Sequence, residues 1–297
     1  MSDVRFGLLD YPGIANLGDT IQALAARRFL PRVDVPLARE RLSDASVVQP
    51  GDRVRTILNG WFMHDARHWP PAPGIEPLLI SMHFAEGGPS RLRRWARRPI
   101  DRMLSGAGRA FLERWGPVGA RDLFTLEQLE RRGIPAYHSG CLTLTLPVPR
   151  DVVPSETVIA CDLPPAALAR LRAVCPRPVR AVTHLGAEHL DRPARAATAA
   201  ALLRDYAGAA AMVTTRIHAG LPCLAFGTPV LLLHEAMPPR RVKDQIGLFH
   251  AAPLDRFVAG QDGFDWRDPP ANPCRAAALV PDLVERCEAF VARSRSA

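Results

Sequence analysis

Hydrophobic residues in the first half of the chain fall in short runs that alternate with longer stretches of helical periodicity. Short apolar and β-branched runs are typical of buried strands, and apolar positions three or four residues apart are typical of helices. Asp19 stands where it would cap the first predicted helix. The pattern predicts strands at 4–9, 55–59, 78–83, 117–120 and 135–138 and helices at 20–29, 90–115 and 123–132.

The same alternation restarts after the proline-rich segment 147–156, PVPRDVVPSE, which has the composition of a linker. Strand–helix alternation is typical of parallel sheets covered by helices. We therefore predict an α/β protein with two Rossmann-like doubly wound parallel-sheet domains, at 1–150 and 151–275, and a C-terminal helix at 276–297. The second domain contains predicted strands at 157–161, 178–183, 211–214 and 229–233 and helices at 164–173, 194–207 and 217–226.

Composition argues against several classes of protein. No run approaches the roughly 18 apolar residues of a membrane helix, and no leader pattern opens the chain, so we expect a cytoplasmic protein. The six cysteines form no C-x-x-C pair, and His64 and His68 lack the H-E-x-x-H context of a zinc site. We expect no metal. The single lysine, Lys243, lies outside any G-K-[ST] sequence, which excludes a P-loop.

The net charge of +8 would suit an acidic partner. No motif of the known nucleic-acid-binding modules is present, so we expect no nucleic-acid partner. Residues 91–102, RLRRWARRPIDR, place six arginines around Trp95. This segment is either a solvated basic face or a contact to an anionic membrane surface, which would place the protein at the inner membrane face. The sequence leaves the oligomeric state open.

Arg216 and His218 stand at a predicted helix start, directly after a predicted strand. Helix N-termini attract anions, and an arginine can bind a carboxylate or phosphate through two parallel hydrogen bonds. Histidine transfers protons near neutral pH. The pair therefore indicates an anion site with a proton donor or acceptor, although an arginine and a histidine also meet at helix starts by chance.

Two further segments carry polar residues at predicted strand ends. Arg121 follows the strand at 117–120, and it is either an anion ligand or half of an exposed ion pair with Asp122. In the segment 12–25, PGIANLGDTIQALA, Asn16 and Asp19 either bind hydroxyl groups, with Asp19 as a base, or shape and cap the loop.

Four segments in order, NLGD, ILNGW, VGARDLFTLEQLERRGI and TTRIHAGLPCLAFGTPVLLL, resemble the conserved blocks of the polysaccharide pyruvyl transferase family over about 6–248. The chain departs from the family at 139–146, where SGCLTLTL replaces the Gly-Asp-Pro of many members, and this indicates a distinct branch. The resemblance implies a fold similar to the glycosyltransferase-B architecture. It also implies an enzyme that transfers a pyruvyl group from phosphoenolpyruvate to a sugar or glycan acceptor, which could be lipid-linked, without a cofactor.

The resemblance also implies roles for individual residues, with the donor on the C-terminal domain and the acceptor on the N-terminal domain. Two alternatives stay open within the transferase class: a nucleotide-sugar-dependent glycosyltransferase, and a pyruvyl transferase with a non-sugar acceptor. A non-catalytic anion-binding module is a third. The implied residues are His218 and Asp19 for catalysis, Arg121, Arg216, Thr215 and Ile217 for the donor, and Asn16, Gly18, Asn59 and His83 for the acceptor.

Overall fold

The computed structural model describes residues 4–44, 46–49, 51–86 and 98–293. They form two compact units. The predicted limits at 1–150 and 151–275 are contiguous, whereas each unit takes a piece from the other half of the chain. The first unit contains Met1–Pro12, Ala23–Leu142 and Asp282–Ala297, and the second contains Gly13–Gln22 and Thr143–Pro281.

The first unit is built on a parallel sheet of six strands in the order β2-β1-β3-β4-β5-β6. The prediction included all of these except β2. Pro36 cannot donate to a sheet ladder, so this short strand lacks a clear signal and lies at the edge. The strands are β1 (Arg5–Asp10), β2 (Val35–Ala38), β3 (Val54–Phe62), β4 (Ile75–Phe84), β5 (Val118–Ala120) and β6 (Ala136–His138).

The predicted bounds of two helices in the first half were wrong. Helix α1 (Leu17–Arg27) begins three residues early, because the Asn16 side chain accepts a hydrogen bond from the Gly18 N–H at 3.0 Å and takes the capping place expected of Asp19. The helix predicted at 90–115 is two helices in its described part. These are α2 (Pro99–Met103) and α3 (Gly106–Trp115), and α4 (Leu123–Glu130) follows.

Gly106, the first residue of α3, has a φ of 51°, in the left-handed region that glycine adopts without strain, and this turns the chain between α2 and α3. Residues 87–97 lie outside the described residues, and most of the basic segment 91–102 lies there with them. Its membrane contact stays a prediction. Within the described part of the chain, no helix is long and apolar enough to cross a bilayer.

The second unit is built on a parallel sheet of five strands in the order β11-β10-β9-β7-β8. The prediction included all strands except β11, whose sequence HAAP has no β-branched residue. The elements are β7 (Val158–Cys161), α5 (Pro165–Val174), β8 (Val179–Val182), α6 (Arg192–Gly208), β9 (Ala211–Thr214), α7 (Ile217–Phe226), β10 (Val230–His234), α8 (Arg240–Lys243), β11 (His250–Pro253) and α9 (Leu254–Val258). The last helix, α10 (Val280–Ala292), belongs from Asp282 onward to the first unit.

Both units are therefore parallel sheets connected by helices, and the predicted α/β fold class is confirmed. In the second unit, the residues of β7 and β9 are all buried, as expected for central strands that helices cover on both faces. β7 pairs with β8 on one side and with β9 on the other. The connection that leaves β7 leads to β8, whereas the one that leaves β9 leads to β10 in the opposite direction. In such sheets, ligands bind outside the carboxyl ends of the two strands where the direction reverses.

Candidate functional site

Asp162 and Arg216 form an ion pair where the strand connections of the second sheet reverse direction, just beyond the carboxyl ends of β7 and β9. Arg216 Nε donates to Asp162 Oδ2 at 2.9 Å. The same carboxylate accepts hydrogen bonds from the Thr183 hydroxyl at 2.6 Å and from the His184 backbone N–H at 3.1 Å. Because Thr183 and His184 follow β8, residues from three adjacent strands meet at one carboxylate.

The two threonines before Arg216 fix the turn that leads into α7. Thr214 Oγ1 accepts from the Arg216 backbone N–H at 2.9 Å, and Thr215 Oγ1 donates to the Asp162 carbonyl at 2.9 Å. Arg216 occupies the N-cap position, and its side chain makes no capping hydrogen bond to this helix. A helix N-terminus carries a positive partial charge, which favours an anion at this end of α7.

Among the described residues, the Arg216 side chain is held through Nε alone. Its side chain is 35% exposed, whereas that of Asp162 is 9% exposed. Within the described part of the second unit, neither terminal amino group of Arg216 has a hydrogen-bond acceptor. A guanidinium has five N–H groups, so the four on these terminal nitrogens remain for a carboxylate or a phosphate.

His218 lies in the first turn of α7, half-buried, against the start of α1. A Cβ atom placed on Gly18 would lie 3.2 Å from His218 Cβ and 3.3 Å from His218 Nδ1. Only glycine therefore leaves the imidazole ring in its position without displacing a neighbour. In the chain, Ile217 precedes His218 and Asp19 follows Gly18. Asp19 accepts from Gln22 Nε2 at 3.2 Å.

The segment 13–22 is attached to the second unit by hydrogen bonds along its length. The backbone N–H of Leu17 donates to the His184 carbonyl at 2.8 Å. The buried guanidinium of Arg195, on α6, donates to the Ile14 carbonyl and, at 3.4 Å, to Thr20 Oγ1. These bonds place Asn16, Gly18 and Asp19 in the same unit as Arg216 and His218.

Beneath the ion pair lies a neutral layer of buried titratable groups. His184 Nε2 lies 2.8 Å from the Tyr206 hydroxyl oxygen, and that hydroxyl donates to Cys161 Sγ at 3.7 Å. Burial lowers the pKa of His184 to about 4 and raises the pKa of the Cys161 thiol to about 12. Burial also raises the pKa of Tyr206 above its ordinary value. These three groups are uncharged near neutral pH, so the local charge resides on Asp162 and Arg216.

We expect His184 to make folding stability depend on pH. The unfolded chain binds a proton at histidine near pH 6.5, whereas the folded protein does so only near pH 4. Stability is unaffected by this group above about pH 6.5 and falls as the pH drops from there towards about 4. His184→Gln can keep the hydrogen bond to Tyr206 and does not titrate.

Denaturant unfolding at pH 7 and pH 4.5 checks this expectation. Between these two pH values, the wild type should lose about 2–3 kcal/mol more free energy of unfolding than His184→Gln. Equal losses of unfolding free energy in the two proteins would contradict the conclusion that His184 is buried in its neutral form, because all other titrating groups are shared.

The first unit contains the remaining predicted site residues. Arg121 and Asp122 follow β5 and are both buried, so the exposed ion pair considered as an alternative for them is wrong. Asp122 Oδ2 accepts from His83 Nδ1 at 2.8 Å and lies 3.6 Å from Arg121 Nε. Burial acts to raise the pKa of Asp122, but the hydrogen bond and charge of His83 and the charge of Arg121 lower it overall. Asn59 is buried at the irregularity in the pairing of β3 with β4.

The structure thus divides the predicted residues between the units and leaves their roles as predictions. Arg216, Thr215, Ile217, His218, Asn16, Gly18 and Asp19 belong to the second unit, and Arg121, His83 and Asn59 to the first. Sequence reasoning missed Asp162, Thr183 and His184. The available signal was an aspartate directly after the apolar run VIAC at 158–161. Among the described residues, no group of three or more histidine, cysteine, aspartate or glutamate side chains could hold a metal ion.

The sheet topology defines a Rossmann-like α/β protein, and an arginine lies at the switch point where such sheets bind their ligands. A model of the polysaccharide pyruvyl transferase family matches residues 80–233, just over half of the chain. The chain belongs to the polysaccharide pyruvyl transferase family, as its ordered motifs indicated, and is therefore a transferase. The matched region includes Arg121, Asp162, Arg216 and His218.

No curated protein matches the chain. It is similar in structure to UDP-GlcNAc 2-epimerase from Methanocaldococcus jannaschii in complex with UDP-GlcNAc and UDP, at 10% identity and a TM-score of 0.40, over 95% of this chain and 99% of the other. It is also similar to the calicheamicin glycosyltransferase CalG4, at 13% identity and a TM-score of 0.34, over 99% of this chain and 95% of the other. A third similar structure is E. coli heptosyltransferase WaaC with ADP, at 12% identity and a TM-score of 0.29, over 96% of this chain and 99% of the other. These likenesses carry no information on activity.

Proposed function

We propose that this protein transfers the pyruvyl group of phosphoenolpyruvate to two hydroxyl groups of a sugar or glycan acceptor and releases phosphate. The observation that carries the proposal is Arg216, whose terminal amino groups face no described acceptor in its unit and which precedes the uncapped start of α7. The family resemblance assigns this arginine to the donor. Phosphoenolpyruvate has a carboxylate and a phosphate, both of which suit a guanidinium and a helix N-terminus.

The chemistry defines what the site must supply. The bond between C2 of phosphoenolpyruvate and the phosphate oxygen breaks, and C2 forms a bond to each of two acceptor oxygens. The methylene carbon gains one proton and becomes a methyl group. Each acceptor hydroxyl loses a proton, and the second of these leaves with phosphate. The reaction therefore needs an acid near the methylene, cations around the donor and a base near the hydroxyls.

Residues of the second unit can supply these functions. His218 is our candidate acid, because it lies two residues after Arg216 in the first turn of α7. Asp19 is our candidate base, because it follows Gly18, which lies against His218. Thr215 and Ile217 flank the donor arginine, and Asn16 and Gly18 are proposed to meet the acceptor. The role of Arg121 with the donor rests on the family resemblance, and Asn59 and His83 of the first unit are proposed to meet the acceptor.

Product analysis tests the proposed function. The purified protein is incubated with phosphoenolpyruvate and a panel of glycans, and inorganic phosphate and acceptor mass are measured. We expect phosphate release together with an acceptor that gains one ketal-linked pyruvate. Consumption of a nucleotide sugar, with no phosphate release from phosphoenolpyruvate, would instead identify a glycosyltransferase.

Gly18→Ala is expected to lower phosphate release about tenfold, because a small misplacement of a catalytic group is costly and the new methyl group presses on both the His218 and Asn16 side chains. The Kd for phosphoenolpyruvate should stay within about threefold, since Arg216 and its partners are untouched. Kinetics and calorimetry check the two values. Gly247→Ala, whose methyl group would make an ordinary 3.6 Å contact with Arg275, is the matched control. Unchanged turnover in Gly18→Ala would show that the position of His218 is not critical.

A further inference from the structure

Asp162 adopts a backbone conformation that few residues other than glycine adopt. Its φ is 52°, in the left-handed region, which aspartate and asparagine tolerate better than other side chains. The conformation is held from the neighbouring strand, because Thr215 Oγ1 donates to the Asp162 carbonyl at 2.9 Å. A strained backbone that neighbouring groups hold in place often marks a functional position. Here it directs the carboxylate towards Arg216.

The way in which Asp162 holds Arg216 is specific. The carboxylate accepts from Nε alone, at 2.9 Å, and not from a terminal amino group. Hydrogen bonds from the Thr183 hydroxyl and the His184 N–H fix the carboxylate itself. The guanidinium is therefore anchored at its inner nitrogen, and its outer edge keeps the fork geometry that suits a carboxylate or phosphate.

We propose that Asp162 is a positioning residue for the anion site. Its carboxylate holds the Arg216 guanidinium through Nε, so that the terminal amino groups of Arg216 bind the donor. The proposal rests on the proposed function in taking phosphoenolpyruvate as that donor. Asp162 does not itself contact the ligand in this account. Its removal should consequently weaken anion binding only through Arg216.

Two substitutions separate the carboxylate from the turn. Glycine adopts a φ of 52° without strain, so Asp162→Gly removes the carboxylate while the backbone can keep its conformation. We expect its Kd for phosphoenolpyruvate, measured by calorimetry, to rise about tenfold. Asparagine tolerates the same backbone, and its amide oxygen can still accept from Arg216 Nε. Asp162→Asn should therefore stay within about threefold of the wild type.

A double-mutant cycle distinguishes positioning from a general structural role. In the Arg216→Ala background, Asp162→Gly should cause no further loss of binding, because the arginine on which it acts is gone. The matched control is Asp205→Ala, which breaks the exposed 2.7 Å ion pair with Arg180 in the same unit and should leave the Kd unchanged. Wild-type binding by Asp162→Gly, or an additional loss in the Arg216→Ala background, would overturn the proposal.

The same series with inorganic phosphate separates this inference from the proposed function. If the wild type binds phosphate but not phosphoenolpyruvate, the proposed donor is wrong. Weaker phosphate binding by Asp162→Gly than by the wild type and Asp162→Asn would then still support the positioning role. If the wild type binds neither anion, both proposals are overturned.

Discussion

Arg216→Ala is expected to raise the Kd for phosphoenolpyruvate about 100-fold, because truncating one partner of a partly buried charge pair removes several kcal/mol of binding free energy. The physical reason lies in the site, where Arg216 presents its terminal amino groups at the uncapped start of α7. Arg216→Lys should be intermediate, since an ammonium group keeps the charge but lacks the planar fork. Titration calorimetry measures all three proteins.

The control for this prediction is an arginine of the same unit that lies in an ordinary ion pair. Arg180 meets Asp205 at 2.7 Å and is about half exposed, so Arg180→Ala should leave the Kd unchanged. A wild-type Kd in Arg216→Ala would place the donor elsewhere. An equal loss in both variants would indicate a general effect of net charge.

His218→Ala is expected to lower phosphate release in the presence of acceptor by about 10²–10⁴-fold, the usual contribution of a positioned acid or base. Its Kd for phosphoenolpyruvate should change by less than about threefold, because the arginine that binds the donor is retained. His218→Gln should be as slow as His218→Ala, since an amide can donate a hydrogen bond but cannot transfer a proton near neutral pH. Turnover and binding are measured separately.

The matched control is His250→Ala. His250 is the first residue of β11, at the amino end of the strand, and its Nε2 bonds the Ala271 carbonyl at 2.8 Å. This variant should keep both turnover and Kd. If His218→Ala loses turnover and donor binding to the same extent, His218 is a structural residue, and the acid must be another group.

The part of the site that lies in one stretch of sequence was predictable. Local patterning predicts the strand at 211–214, the helix at 217–226 and the turn between them. The signals for these elements, an apolar run, two threonines and the glycine after the helix, all lie within one short stretch of the chain. Local patterning also gave the parallel α/β class. It failed at β2 and β11, whose short sequences contain proline and alanine where strand residues are usually β-branched.

The part of the site that depends on strand order was not predictable. Asp162 meets Arg216 because β7 pairs with β9, and the two residues are 54 positions apart. The attachment of 13–22 to the second unit depends on still longer contacts, such as that of Arg195 with Ile14 across 181 positions. A single sequence contains no signal for such pairings, so the contact of Gly18 with His218 emerges only from the structure.

Burial explains the remaining difference at Arg121. As an adjacent pair of opposite charges after a strand, Arg121 and Asp122 look in sequence like an ordinary surface feature. The structure buries both and joins Asp122 to His83 on β4. Adjacent charges give no indication of burial, because burial depends on the elements that pack over them.

Thermal unfolding of the wild type with and without millimolar phosphoenolpyruvate, beside a panel of nucleotide sugars, tests the central claim most directly. A ligand that binds only the folded state raises stability by RT ln(1 + [L]/Kd), about 2.7 kcal/mol at 100 times Kd. We predict that phosphoenolpyruvate raises the unfolding temperature and that nucleotide sugars do not. A rise with a nucleotide sugar and none with phosphoenolpyruvate would contradict the proposed donor.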